Sequence, residues 1–148
     1  MSWDPLTEVD ELSAQGRPDE ALSLLVRYFE STRDSAAQAG VRLSFALEVW
    51  ERLAERHPPA RDALLAVPDH AGERLLARAE GRAAPASAMV DHTDFAEVAA
   101  VNEVLGRDQD TCDLYDRLAG LSPELADHCR FAAYDTLQRC GRLRPDGG

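Results

Sequence analysis

Gly106 separates two apolar stripes of helical period, and no other feature of the chain restricts its fold as much. Phe95, Val98, Ala99, Asn102 and Leu105 recur at helical intervals before it, which puts four apolar side chains on one face. Thr111, Leu114, Tyr115 and Leu118 repeat the pattern after it. A glycine takes the left-handed conformation that ends a helix without steric cost. A turn this short forces the two helices antiparallel, with their stripes facing. Asp94 is expected to cap the first helix, with Asp91 and Thr93 as rivals, and Glu97 completes a capping-box spacing. Asp108 or Asp110 is expected to cap the second helix, and Ser122-Pro123 the one that follows. Neither helix can bury its stripe alone, which is the mark of a unit that needs neighbours.

The rest of the chain reads as further helices. Residues 4–15 carry Leu6, Val9 and Leu12 at helical spacing and end at Gly16, and residues 18–33 carry Ala21, Leu25 and Phe29 on a wide apolar face. Residues 36–57 are apolar over more than half their circumference, through Leu43, Leu47, Trp50, Phe45 and Leu53, and so are expected to pack on two sides. Two short helices, 60–67 and 69–82, are expected to be separated or kinked at Pro68. Residues 81–90 read as a loop. One helix over 123–140 is expected to bury Leu125, Cys129, Ala132, Thr136 and Cys140, leaving residues 142–148 as a frayed tail. The expectation is a single all-α domain over 1–148, with about eight helices.

The clean hairpin resembles the tetratricopeptide repeat. Phe95, Val98 and Ala99 stand at that motif's first aromatic, large and small positions, Gly106 at its turn, and Tyr115 and Pro123 at its last two positions. Asn102 replaces a Tyr and Thr111 an Ala. Ala46, Trp50 and Pro58 repeat the spacing of Thr111, Tyr115 and Pro123, and Gly16-Arg17-Pro18-Asp19-Glu20-Ala21-Leu22 is similar to turns of that family. The resemblance implies stacked hairpins in a right-handed superhelix that bind another protein without chemistry. It also implies that the first helix of the pair lines the groove, which places Thr93, Ala96, Ala100 and Glu103 towards a partner. The family's carboxylate-binding subtype needs Lys, Arg or Asn on that face, where this chain has Ala96 and Ala100. A shallow groove with an acidic edge favours a basic or apolar partner segment.

Charge and composition narrow the function classes. With 148 residues and a formal charge of −11, the chain lacks the clustered cations that nucleic acid or an anionic membrane surface requires. It contains no lysine and no isoleucine, a bias read here as genome base composition. No apolar run reaches the length of a membrane span, and Met1-Ser-Trp-Asp-Pro5 lacks a basic start and hydrophobic core, so a cytoplasmic protein is expected. The three cysteines are expected to be reduced and mostly buried. Cys129 and Cys140, eleven residues apart on one helix, would lie on the order of 16 Å from each other.

The residue types that carry chemistry do not assemble into a known motif. Asp91-His92-x-Asp94 at a helix start reads as caps before it reads as a metal site. Asp108, Asp110, Asp113 and Asp116 fail the calcium-loop pattern, because Asp113 stands where Gly is needed and Ala119 where Glu is needed, so they read as a solvated acidic face. His128 and Cys129 are helix neighbours pointing about 100° apart and do not form a nucleophile pair by themselves. His57 and His70 flank prolines and are expected to be exposed. No cofactor is expected. Phe131 and Tyr134, opposite the last helix's main stripe, are expected either to pack under the 81–90 loop or to belong to a contact surface. Two alternatives to the adaptor follow. One is a helical enzyme or small-molecule binder with a pocket near 81–95, where His92 converges with Asp91 or Asp94. The other is an obligate homodimer with a self-complementary surface.

Overall fold

The computed structural model describes residues 5–32 and 43–142, and these are helical, with no strand among them. The helices are α1 (Pro5–Ala14), α2 (Pro18–Ser31), α3 (Phe45–Arg56), α4 (Pro58–Ala79), α5 (Ala88–Leu105), α6 (Asp108–Leu121), α7 (Pro123–Cys129) and α8 (Tyr134–Arg139), with a 3₁₀ turn at Arg130–Ala133 between the last two. The chain divides into two compact units, 1–66 and 67–148. Residue 4, residues 33 and 36–42, and the tail beyond Arg142, all included in the expectations above, lie outside the described residues.

In the first unit α1 and α2 form an antiparallel hairpin about Gly16, whose φ is +77°, and both pack against α3. Pro18 opens α2 at a position where its missing N–H costs nothing. Val9, Ala21, Leu25, Phe29 and Trp50 are buried. Phe29 meets Trp50 edge to face at 5.4 Å, a geometry favoured by the ring quadrupoles. The indole N–H of Trp50 donates to the Ala60 carbonyl at 2.9 Å, so the largest core side chain is also satisfied. His57 is more buried than expected, with Nε2 2.8 Å from Asp19 Oδ1, whereas His70 is exposed as expected.

The second unit is built on α5. Its core joins Leu75 of α4, Phe95 and Val98 of α5, Leu118 of α6, Leu125 of α7 and Leu137 of α8. Gly106 takes φ +71°, and the N–H groups of Gly106 and Arg107 return to the carbonyls of Glu103 and Asn102, closing α5 as its sequence predicts. Ser122 caps α7 by accepting from the Leu125 N–H at 3.3 Å.

Five expectations are corrected. Residues 60–82 are not two helices: α4 runs unbroken through Pro68 to Ala79, giving up one backbone bond there. The start of α5 lies further back than Asp94, with Ser87 as its cap, accepting from the Val90 N–H at 3.2 Å. Asp108 and Asp110 lie inside the first turn of α6 and do not cap it; there they favour the helix dipole. The last helix is broken by the 3₁₀ turn, whose three-residue period shifts the buried stripe from Ala132 and Cys140 to Ala133 and Leu137. Finally, Cys112 and Cys140 form a disulfide with Cα atoms 6.6 Å apart, and only Cys129 is a free thiol. Packing of α8 on α6 brings together two cysteines 28 residues apart, which spacing along one helix could not foretell.

Candidate functional site

The second unit buries a lattice of charges along α4 and α5. Arg78 donates through Nε to Asp91 Oδ1 at 2.9 Å and through Nη2 to Asp94 Oδ2 at 2.7 Å. Arg74 Nη2 donates to Asp94 Oδ1 at 3.1 Å and to Glu97 Oε2 at 2.7 Å. Asp91, Asp94 and Glu97 are 3%, 3% and 1% exposed, so three buried carboxylates face two guanidiniums, of which Arg74 is partly open to solvent. His128 Nδ1 adds a contact to Asp91 Oδ2 at 2.9 Å. Burial opposes the charge of Arg78, but its hydrogen bond to Asp94 and the charges of Asp94 and Asp91 outweigh that, so its pKa is raised. The Cys129 thiol, which points at the Asp91 carbonyl, is pushed up to about 12, first by burial and then by the Asp91 charge. These groups are held to one another, and among the described residues no set of three or more His, Cys, Asp or Glu is arranged to hold a metal ion.

The same lattice positions a groove. Because Arg78 meets Asp91 while Arg74 meets Asp94 and Glu97, α4 and α5 run antiparallel. That register, continued by one turn, sets Asp69 level with Asn102. Here a groove of about 340 Å³ opens between α4, α5 and the start of α6. Leu76, Val98 and Leu114 form its apolar lining, and Gly72 leaves one wall low. Asp69, Glu73, Arg107 and Asp110 are its charged members. Arg107 is tied to Asp110 at 2.8 Å and Glu73 to Arg82 at 2.9 Å, so Asp69 has no cationic partner among the described residues. Asn102, also in the lining, is 2% exposed. Its Nδ2 donates to Thr111 Oγ1 at 3.0 Å, while its Oδ1, sealed from solvent, has no hydrogen-bond partner among the described residues. A buried acceptor without a donor carries a free-energy cost on the order of 1–3 kcal/mol. The first unit has a depression of about 370 Å³ lined by Leu12, Arg17, Asp19 and Arg27 among others; Arg17 there is already paired with Glu20.

The residues singled out from sequence are distributed differently. Thr93, Ala96 and Ala100 are half-buried and Glu103 is exposed, and none of the four lines the groove. Asp91 and Asp94, expected to cap or to converge with His92, are instead taken up by Arg78, Arg74 and His128. Phe131 is 70% exposed, so the 81–90 loop does not cover it. It stacks on Tyr134 at 6.0 Å, with the Arg130 guanidinium 5.8 Å from its ring centre. Asp110, Asp113 and Asp116 are exposed as expected, with Arg142 reaching Asp116 at 2.9 Å, whereas Asp108 is half-buried and 3.3 Å from Arg139.

Sequence reasoning passed over Asp69, Gly72, Arg74 and Arg78. The available signal was Arg74 and Arg78 at i,i+4 opposite Asp91, Asp94 and Glu97 at i,i+3,i+6, two complementary charged rows on adjacent helices. No helix among the described residues is long and apolar enough to cross a membrane. No family model matches the chain, and no curated protein or solved structure matches it.

Proposed function

We propose that the chain is a non-enzymatic interaction module of stacked antiparallel hairpins, tetratricopeptide-like in plan, that binds a basic, apolar segment of another protein. The observation behind this reading is the groove lined by Leu76, Val98 and Leu114, with a carboxylate at Asp69 that has no cationic partner among the described residues. Apolar walls with a few placed polar groups are what recognition sites require. A formal charge of −11 steers cationic segments towards the surface. The proposed setting is the cytoplasm. Reducing conditions there oppose the Cys112–Cys140 bond, but the groove draws no lining residue from either cysteine. Selection from a random peptide display library, followed by amide shift mapping of the enriched peptides, tests the reading. It requires peptides rich in basic and apolar residues that perturb α4, α5 and the start of α6; failure to enrich, or perturbation elsewhere, contradicts it.

A self-complementary homodimer is a second reading, favoured by the exposed Phe131–Tyr134 stack. It requires that Phe131→Glu or Tyr134→Glu lower the sedimentation mass, and an unaltered mass in both variants removes it.

A further inference from the structure

We propose that the Cys112–Cys140 bond is a thiol–disulfide exchange site, opened at Cys140 by an external dithiol, and that its state sets how firmly α8 is held on α6. The proposal goes beyond both functional readings and rests on neither. Three observations carry it. The two cysteines differ in access: Cys112 is 0% exposed and Cys140 is half-buried, so an attacking sulfur meets the bond from the Cys140 side. The second observation is that α8 depends on the bond. At six residues it is far too short to hold itself helical in water, and Leu137 is its one large side chain that is fully buried. Ala133, at φ −140° and ψ 42°, breaks the backbone between α8 and the 3₁₀ turn before it. The side-chain ties to α6, Arg139 to Asp108 and Arg142 to Asp116, are solvated and hold little. Third, Cys129 does not compete. Its thiol is buried and pushed up to about 12, so it stays protonated and unreactive in place.

In the exchange, a thiolate of the dithiol attacks Cys140 Sγ and forms a mixed disulfide there. The bond to Cys112 breaks, and the Cys112 sulfur leaves with the electron pair and takes a proton. The second thiolate of the dithiol then attacks its own sulfur in the mixed disulfide and releases Cys140, which is protonated in turn. The chain gains two electrons and two protons, and the dithiol is oxidised to a disulfide. A formal charge of −11 opposes an anionic attacker, but Arg139 and Arg142 flank Cys140 and offset Asp108 and Asp116 there. Once reduced, Cys112 is not left without a partner: the Thr136 carbonyl oxygen lies 3.7 Å from its sulfur and can accept from the new S–H. A weak tie thus replaces a covalent one, which loosens α8 and leaves the rest of the second unit's core in place.

The test treats the full chain with dithiothreitol at neutral pH without denaturant, then traps free thiols with iodoacetamide for mass mapping. Cys140 is expected to be labelled first, Cys112 more slowly and Cys129 not at all. Amide exchange is expected to speed at Cys140 and Arg142, whose N–H groups close the end of α8 on the carbonyls of Thr136 and Leu137, and to stay unchanged at Arg107. Oxidised glutathione should reverse both changes. In that reagent Cys112→Ser is expected to form a mixed disulfide at Cys140 at least about tenfold faster than Cys140→Ser forms one at Cys112, because burial shields the second thiol. A bond that resists dithiothreitol until urea is added overturns the proposal. So do labelling of Cys112 or Cys129 ahead of Cys140, unchanged exchange at Cys140 and Arg142, and equal rates in the two variants. Where a urea melt shows that a variant does not fold, the labelling order in the native chain decides.

Discussion

Arg78 touches two buried carboxylates at once, and its removal leaves Asp91 and Asp94 without that partner in a region water does not reach. Breaking a buried pair from one side costs about 3–5 kcal/mol. Arg78→Ala is therefore expected to lower unfolding free energy by about that amount in urea melts, while Arg82→Ala, whose pairs with Glu80 and Glu73 are solvated, leaves the melt unchanged. Cys129 gives a second test at this scale. Its folded thiol is raised from an ordinary 9.0 to about 12. Above pH 9 the unfolded chain ionises this group and the folded chain does not, so the contribution is complete below about pH 9 and is lost as pH rises towards 12, at up to about 1.4 kcal/mol per pH unit. Stability measured against pH should fall more steeply in the native sequence than in Cys129→Ala over that range. Parallel curves would contradict the burial assigned to the thiol.

The boundaries of α5 show which elements the sequence makes legible. Its C-terminus is local chemistry: Gly106 is the residue that tolerates φ +71°, and nothing distant is needed to place it. Its N-terminus is not local. Asp94 has the composition and spacing of a cap, yet Arg74 and Arg78, at least 16 residues earlier, draw it into the helix interior and leave Ser87 to cap. Ser87→Ala is thus expected to cost about 1 kcal/mol and to speed exchange of the Val90 amide, and no effect on either would return the cap to a later residue. The break between α7 and α8 escaped the sequence for the opposite reason: Leu125, Cys129 and Thr136 keep a helical spacing across it. At the groove, Leu76, Val98 and Leu114 were legible as apolar positions. The register that sets Asp69 level with Asn102 depends on a charge lattice between helices, which one-dimensional periodicity does not contain. The disulfide adds a tie of the same kind between α6 and the end of α8. Closing a 28-residue interval constrains the unfolded chain by about 3–4 kcal/mol, so reduction should lower the urea midpoint by an equivalent amount, and an unchanged midpoint would remove that role.

At the level of the whole molecule, two sets of ionisable groups in the second unit bear on the site. Those along α4 and α5, three buried carboxylates paired with the guanidiniums of Arg74 and Arg78, tie one helix to the other. At the groove Glu73, Arg107 and Asp110 are paired, and Asp69 alone among its charged members has no cationic partner among the described residues. In the proposed reading the first set builds the site and Asp69 in the second receives the partner segment. Parallel urea melts of Asp69→Asn and Arg78→Ala, with titrations of the enriched basic and apolar peptides, test this division most directly. Asp69→Asn should lose about tenfold in binding with stability unchanged within about 0.5 kcal/mol, and Arg78→Ala should lose stability first and binding with it. Retained binding in Asp69→Asn, or an Arg78→Ala variant as stable as the native chain, would contradict the account.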